Sequence, residues 1–325
     1  MYINLKKLKI VPVIVMVVVF VFVFGNVLKS LISASGVPWV QTDWSGGVGG
    51  STSTQFSSSS NIDYGTNGEI KLAGTAGWYN ASWNSRKKIT FNNTASNIGT
   101  TAENLVNYPV LVKLTSSNFD FTKAKSDGAD IRFTDSDGTT LLSYEIEKWD
   151  NIGQLASVWV KVPQIDIESN SDNIYMYFGN SGASDAQTAT SVWDSNFVGV
   201  WHLKEDPSGP SNPIKDSTSY ANNGYTVGSM TSGDVVSGQL GTAIDFDGND
   251  AVVVNDHASL SGMNYLTQEA WVYMRSFAGG PVVMGKNNSY DLYMNGGSGT
   301  LYTDYKSASG GSVPQNAWAQ IVMTY

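Results

Sequence analysis

The stretch DGADIRFTDSDGTTLLSYEIEKWD, residues 127–150, decides the fold class of this chain. It contains two short apolar runs, residues 131–134 and 141–147, and each is too short for a typical helix. Between them, the sequence DSDG at 135–138 supplies the Asp and Gly residues that tight turns favour. The stretch therefore predicts two antiparallel strands joined by a hairpin turn.

The same pattern of short runs bounded by turn residues extends in both directions from this hairpin, and no long amphipathic helix follows residue 36. Two series of strands are predicted, at 86–91, 108–114, 158–162 and 174–178, and then at 198–203, 243–246, 252–254, 267–273, 282–284, 290–294 and 319–325. Strands at this spacing predict an all-β fold of two consecutive antiparallel β-sandwich, jelly-roll-like modules, at residues 77–194 and 195–325.

The N-terminus carries the pattern of an export segment. Lys6, Lys7 and Lys9 precede an unbroken apolar run over residues 10–24, which places the lysines on the cytoplasmic side. We expect a hydrophobic helix within residues 1–35 that is either a cleaved signal peptide or a retained membrane anchor, because its length suits both. Residues 36–76 are rich in Ser and Gly and are expected to form a spacer. The body of the protein is thus expected at the cell surface, in contact with the membrane only if the leader is retained.

Composition excludes several classes of function. The chain has 28 acidic and 19 basic residues and a net charge of −9, so its body should be repelled by nucleic acid. The absence of cysteine excludes disulfides, thiolate metal sites and a cysteine nucleophile. The run GPVVMGK at 280–286 fits most of a phosphate-binding loop, but Asn287 follows where Ser or Thr would bind Mg²⁺. No nucleotide is therefore expected as a ligand.

Residues 78–193 resemble a prokaryotic family known as domain of unknown function 2341. The resemblance lies in the strings WYNASWNSRKKITF (78–91), NYPVLVKLT (107–115), DGADIRFTDSDGTTLLSYEIEKWD (127–150), ASVWVKVP (156–163) and NIYMYFGN (173–180). It implies a β-rich exported module without an established activity.

Residues 197–325 resemble laminin-G-like, concanavalin A-type lectin domains. The strings that carry this resemblance are VWHLKE (200–205), DSTSYANNGY (216–225), AIDFDGNDAVVV (243–254), LTQEAWVY (266–273), PVVMGKNNSYDLYM (281–294) and NAWAQIVMTY (316–325). Ala251 stands where that family usually has an aromatic residue, and the family's later strands would lie beyond Tyr325, so we expect the domain to be incomplete. The resemblance implies adhesion or binding of glycan.

Two sets of residues in the second module are candidates for binding. The C–H faces of sugars stack on aromatic rings. The second module has six aromatic residues that could serve in this way: Trp271, Tyr273, Tyr290, Tyr293, Tyr302 and Tyr305. Of these we select Trp271, Tyr273 and Tyr290 as candidate ligand-binding residues. Carboxylate and amide oxygens crowd a turn at Asp247, Asn249 and Asp250, which we select as candidate calcium ligands.

No catalytic residue is proposed. Glu145 and Glu147 alternate on a predicted strand and are expected on a solvated face. His202 and His257 are expected to have a structural role or to lie on the surface. The sequence thus predicts a non-catalytic recognition protein at the cell surface that binds carbohydrate or another surface polymer. Two alternatives stay open: the targeting region of a larger glycan-degrading enzyme whose catalytic domain lies beyond Tyr325, or a structural surface stalk.

Overall fold

The computed structural model confirms a mostly β, sandwich-like protein with several antiparallel sheets. It describes residues 77–98, 103–209, 214–287, 289–303 and 308–324, together with four short strands nearer the N-terminus. Those four strands are β1 (Tyr2–Ile3), β2 (Leu8–Ile14), β3 (Ile62–Asp63) and β4 (Lys71–Leu72).

The first unit of the fold contains seven strands in two sheets. They are β5 (Ser85–Thr90), β6 (Leu105–Thr115), β7 (Arg132–Thr134), β8 (Leu141–Leu142), β9 (Tyr144–Asp150), β10 (Leu155–Ile165) and β11 (Asn173–Phe178). One sheet has the order β6-β10-β9 and the other β5-β11-β7-β8. Two single-turn helices, α1 (Ala95–Ile98) and α2 (Ala189–Val192), and a 3₁₀ turn at Phe121–Lys123 complete it.

The hairpin predicted from residues 127–150 is confirmed. Phe133 of β7 pairs with Leu142 of β8, and the turn between them is held by the Asp137 carboxylate, which accepts hydrogen bonds from the backbone amides of Thr139 and Thr140 at 2.8 Å each. Gly138 follows at φ +74°, a left-handed conformation that glycine adopts without strain. The second predicted run divides in two, because β8 ends at Leu142 and β9 begins at Tyr144 in the other sheet.

The core of the first unit lies between its two sheets. Alternate residues of β10, such as Val158 and Val160, meet inward-facing residues of the opposite sheet, such as Ile89 and Phe133. This is the packing that period-2 alternation predicts for a sandwich.

The second unit contains eleven strands of the C-terminal half of the chain. They are β12 (Val200–Trp201), β13 (Gly224–Val227), β14 (Val235–Ser237), β15 (Thr242–Asp245), β16 (Ala251–Val254), β17 (Thr267–Met274), β18 (Val282–Lys286), β19 (Tyr290–Met294), β20 (Thr300–Thr303), β21 (Ala308–Ser312) and β22 (Trp318–Thr324). Short 3₁₀ turns occur at Ser232–Asp234 and Ala258–Leu260. The sheets have the orders β14-β15-β2-β17-β22, with β12 on β2, then β18-β19-β20-β21 and β1-β16-β13.

The two units pack against each other. A cluster of buried residues lies between them, in which Trp159 of β10 groups with Trp193 and Val200, and Leu111 and Leu240 pack against this cluster. The outer face of the β6-β10-β9 sheet is therefore covered by the second unit.

The predicted leader and spacer fall mostly on residues outside the described part of the chain. Only β1 to β4 are described there, and β2 pairs with β15 on one side and with β17 on the other. The predicted hydrophobic helix therefore stays a prediction. Among the described helices, none has the length and apolar character needed to cross a bilayer.

Candidate functional site

The first candidate ligand-binding residues lie on the outer face of β17. Ala270, Val272 and Met274 point into the core of the second unit, so Trp271 and Tyr273 share the opposite face and are half-buried there. Tyr273 pairs across the sheet with Trp318 of β22, and their rings meet edge to face with centroids 5.4 Å apart. The structure therefore brings the two predicted residues into one aromatic strip.

The third candidate, Tyr290, lies on the other side of its sheet. It is buried on the same face of β19 as Leu292, and its hydroxyl donates a hydrogen bond to the carbonyl of Leu260 at 3.3 Å. Its ring is thus part of the core in this structure and offers no open face for stacking.

A pair of tyrosines occupies the face of the β18-β19-β20-β21 sheet that points away from the core. Tyr293 of β19 is the direct cross-strand partner of Tyr302 of β20, and both are half-buried. Their rings are stacked, with centroids 5.8 Å apart and planes 28° apart. We call these two residues the tyrosine pair. Tyr305, which the sequence also suggested, lies outside the described residues.

A groove of about 220 Å³ adjoins the tyrosine pair. It runs between the β20-β21 hairpin and β22, and Tyr302 belongs both to the pair and to the groove. Its other walls include Leu292, Leu301, Ser309, Met323 and Thr324. Leu292, Leu301 and Met323 pack in or against the core of the second unit, so the groove opens on the core side of the sheet and the rings of the tyrosine pair lie on the opposite face.

The candidate calcium ligands form a turn organised by Asp250. This buried carboxylate accepts hydrogen bonds from the backbone amides of Ser229 at 3.2 Å and of Asp247 at 3.1 Å, while Asp247 accepts one from the amide of Asn249 at 3.4 Å. Burial raises the pKa of Asp250, and the adjoining Asp247 side chain contributes to that rise. In the part of the chain that is described, no group of three or more His, Asp or Glu residues could hold a metal ion. Calcium binding at Asp247, Asn249 and Asp250 stays a prediction.

The expectation that Glu145 and Glu147 lie on a solvated face is wrong. Both side chains are buried, because the second unit covers the outer face of β9 and places His202 between them. Nε2 of His202 lies 3.1 Å from Oε2 of Glu145, and its Nδ1 forms an ion pair with Oε2 of Glu147. We call these three residues the buried ionic cluster.

Neighbouring donors complete this cluster. Glu145 accepts hydrogen bonds from the hydroxyl of Ser217 at 2.7 Å and from the indole N–H of Trp193 at 3.0 Å. Glu147 accepts one from the indole N–H of Trp159 at 3.3 Å. Lys204 adds a second cation, 3.5 Å from Oε1 of Glu145. Two cations therefore oppose two carboxylates, which is the arrangement that makes burial of these charges tolerable.

The electrostatics of the buried ionic cluster keep His202 charged. Burial alone would lower its pKa, but the charges of Glu147 and Glu145 outweigh burial and raise that pKa to about 10. Burial opposes the charge of Glu145 as well, and His202 and then Lys204 and Ser217 lower its pKa to about 2. Because all three side chains are closed off from solvent, the arrangement joins the two units and is not open to a substrate.

The phosphate-loop-like run falls in a strand. Residues Val282–Lys286 form β18, and the amine of Lys286 lies 2.6 Å from a carboxylate oxygen of Asp256.

Residues 127–201 match the family described as Domain of unknown function (DUF2341). The match contains β7 to β11 of the first unit and ends with β12 of the second unit. Comparison with curated proteins found no match, and comparison with solved structures found none either.

Proposed function

We propose that this protein is a non-catalytic recognition protein of the cell surface that binds carbohydrate through its second unit, a laminin-G-like lectin domain. The observation that carries the proposal is the tyrosine pair. Two stacked rings on the outward face of a sheet form a rigid apolar platform, and a tyrosine adds a hydroxyl that can bond a sugar.

The surroundings of the tyrosine pair support the same function. Ser309 of β21 is the direct cross-strand partner of Tyr302, so its side chain lies on the same face of the sheet as the pair. A sugar ring stacked on the pair would therefore find a hydroxyl close by. The strip of Trp271, Tyr273 and Trp318 gives the same unit a second aromatic surface.

The test measures retention of the full chain on a panel of immobilised neutral polysaccharides. For a polysaccharide that is bound, we expect Tyr302→Ala to weaken binding about tenfold, which corresponds to about 1.4 kcal/mol. Tyr265→Ala is the matched control, because Tyr265 is 86% exposed and lies outside the pair and the groove. Equal weakening by both substitutions, or retention on no polysaccharide, would contradict the proposal and favour a structural stalk.

Export is the second part of the proposal, and it is supported by the lysines before the apolar run over residues 10–24. The same residues cannot insert into a membrane and also pair as β2 (Leu8–Ile14) with β15 and β17. N-terminal sequencing of protein from cell fractions separates these two outcomes. A start after residue 35, or an intact leader in the membrane fraction, supports export, whereas an intact N-terminus found only in the cytosol contradicts it.

A further inference from the structure

The outer face of the β5-β11-β7-β8 sheet carries cations and aromatic rings in two rows. Ile89, Ile174 and Met176 point into the core, so the residues that alternate with them face outward. One outward row is Arg86, Tyr177 and Arg132, and the other is Lys88, Tyr175, Thr134 and Leu141, in the order in which the strands pair. Tyr177, Arg132 and Thr134 are buried, since Trp78, Tyr79 and Trp83 cover part of this face, and Arg86, Lys88, Tyr175 and Leu141 reach solvent. We call this surface the cationic face.

Arg86 is held in place by rings and oxygen atoms. Its guanidinium carbon lies 4.8 Å from the ring centre of Trp78 and 4.4 Å from that of Tyr175, so the group is enclosed between two aromatic rings. Nη1 donates hydrogen bonds to the carbonyl of Gly77 and, at 3.1 Å, to the hydroxyl of Tyr177. Nη1 is the donor of both hydrogen bonds between the guanidinium and described residues. The other edge of the group, formed by Nε and Nη2, donates no hydrogen bond to a described residue.

The cations of this face are not paired with acidic side chains of the described part of the protein. Arg86, Lys88 and Arg132 form no ion pair with a described carboxylate. Arg132 directs its hydrogen bonds to the carbonyls of Ala129, Ile131 and Ser184 and to the hydroxyl of Tyr144.

The two acids of the neighbouring turn form no ion pair with these cations. Asp135 accepts a hydrogen bond from the backbone amide of Ser136. Asp137 uses its carboxylate on the amides of Thr139 and Thr140 and on the hydroxyl of Thr140. Arg132 is buried, so Arg86 and Lys88 are the cations of this face that a ligand can reach. In a chain with 28 acidic and 19 basic residues, two exposed and unpaired cations on one strand indicate an anionic ligand.

We propose that the cationic face binds an acidic polysaccharide, a polymer of sugars that carry carboxylates. The open edge of the Arg86 guanidinium matches the two oxygens of a carboxylate, a geometry that lysine cannot offer. Lys88 is exposed two residues along the same strand, roughly 6–7 Å away, and supplies a second charge for the next acidic group. Half-buried Tyr175 and exposed Leu141 give the sugar rings apolar contacts between and beside the charges. This inference does not depend on the tyrosine pair, which lies in the other unit.

The experiment measures binding of the full chain to polygalacturonate and to its fully methyl-esterified form. We expect the free acid to bind and the ester to bind at least about tenfold more weakly, because esterification removes the charge that Arg86 and Lys88 recognise. Binding to the free acid should also weaken steeply as salt is raised to 0.5 M, a concentration at which exposed charges are largely screened.

Variants localise the interaction. We expect Lys88→Gln to weaken binding about threefold and Arg86→Gln about tenfold. Lys88→Gln removes no ion pair or hydrogen bond with described residues, so we expect the variant to fold normally. Its weaker binding would then report the loss of the Lys88 charge itself. Lys113→Gln is the matched control, an exposed lysine on β6 outside this face.

The outcomes separate this proposal from the proposed function. Loss of binding in Arg86→Gln and Lys88→Gln, with Tyr302→Ala and Lys113→Gln unchanged, supports the cationic face. Equal binding of the ester and the free acid, or no difference between Lys88→Gln and Lys113→Gln, would overturn it. Loss of acid binding in Tyr302→Ala alone would also overturn it and would assign the acid to the tyrosine pair.

Discussion

His202 of the second unit and Glu145 of the first form an ion pair with Nε2 and Oε2 3.1 Å apart, and only 1% and 5% of their side chains are exposed. The pair closes an interface that the aromatic residues Trp159 and Trp193 surround. Since unfolding of one unit alone would break this pair and expose the apolar residues of the interface to water, the two units should unfold together rather than as independent domains.

The first prediction concerns pH. A histidine whose pKa is raised in the folded state to about 10 contributes stability in full below its unfolded value of 6.5. That contribution is lost as the pH rises from about 6.5 to 10. We expect the free energy of unfolding to fall by up to about 1.4 kcal/mol per pH unit across that window, measured by urea denaturation.

His202→Gln is the control for this pH dependence. The variant is expected to be less stable at pH 6 and to lose most of the slope above pH 6.5, because no imidazole remains to deprotonate there. A slope in the variant equal to that of the parent chain would show that other groups cause the pH dependence.

On the acid side the sign is reversed. The pKa of Glu145 is lowered to about 2, so its contribution is present above its unfolded value of 4.5 and is lost as the pH falls from 4.5 towards 2. Maximum stability is therefore expected between about pH 4.5 and 6.5. Denaturation curves from pH 2 to 6 would contradict this if stability were flat over that range in the parent chain.

The second prediction removes one carboxylate. Glu145→Ala leaves the His202 cation facing only Glu147 and removes the acceptor of Ser217 and Trp193. We expect a loss of about 3–5 kcal/mol in the free energy of unfolding, the usual effect of breaking a buried ion pair.

Glu103→Ala is the matched control, because Glu103 is exposed and forms no ion pair with described residues. Its substitution should change the stability by less than about 0.5 kcal/mol. Similar losses for the two variants would mean that the buried ionic cluster does not secure the interface.

The sequence predicts individual strands better than it predicts what covers them. Residues 290–294 were predicted as a strand from their aromatic and apolar residues, and β19 spans Tyr290–Met294. The strand Ala308–Ser312 was missed, because its sequence ASGGS has low β-propensity and pairing with β20 makes it extended.

The candidate site also depends on contacts between distant parts of the chain, which the sequence alone does not show. Alternation in the sequence EIE places Glu145 and Glu147 away from the core of the first unit, but it does not show that His202, more than fifty residues later, closes over them. Likewise, the sequence offers six aromatic residues, and the three selected from them include Tyr290, which is buried. Only the register that sets Tyr293 beside Tyr302 distinguishes that pair from the buried Tyr290.

The third prediction tests calcium at the turn of Asp247, Asn249 and Asp250. If these residues bind calcium, millimolar CaCl₂ should raise the melting temperature of the chain and Asp247→Asn should abolish the shift, because binding to the folded state stabilises it by mass action. Asp247 is the residue to change because it is exposed, whereas Asp250 also organises the turn. No calcium-dependent shift in the parent chain would reject the site.

The fourth prediction uses two glycines to separate backbone strain from steric overlap. Gly228 has φ +104°, and a Cβ there would lie 2.2 Å from Oδ1 of Asp250, the carboxylate that holds the turn. Gly297 has nearly the same conformation, φ +102°, and a Cβ there would meet no atom within 4 Å. Both alanine substitutions incur the same cost of a positive φ, at least about 1–2 kcal/mol, but only Gly228→Ala also displaces Asp250. We therefore expect Gly228→Ala to destabilise the chain by at least about 1 kcal/mol more than Gly297→Ala in urea denaturation. Equal losses would mean that Asp250 moves aside freely, and its bonds to Ser229 and Asp247 would then contribute little to the turn.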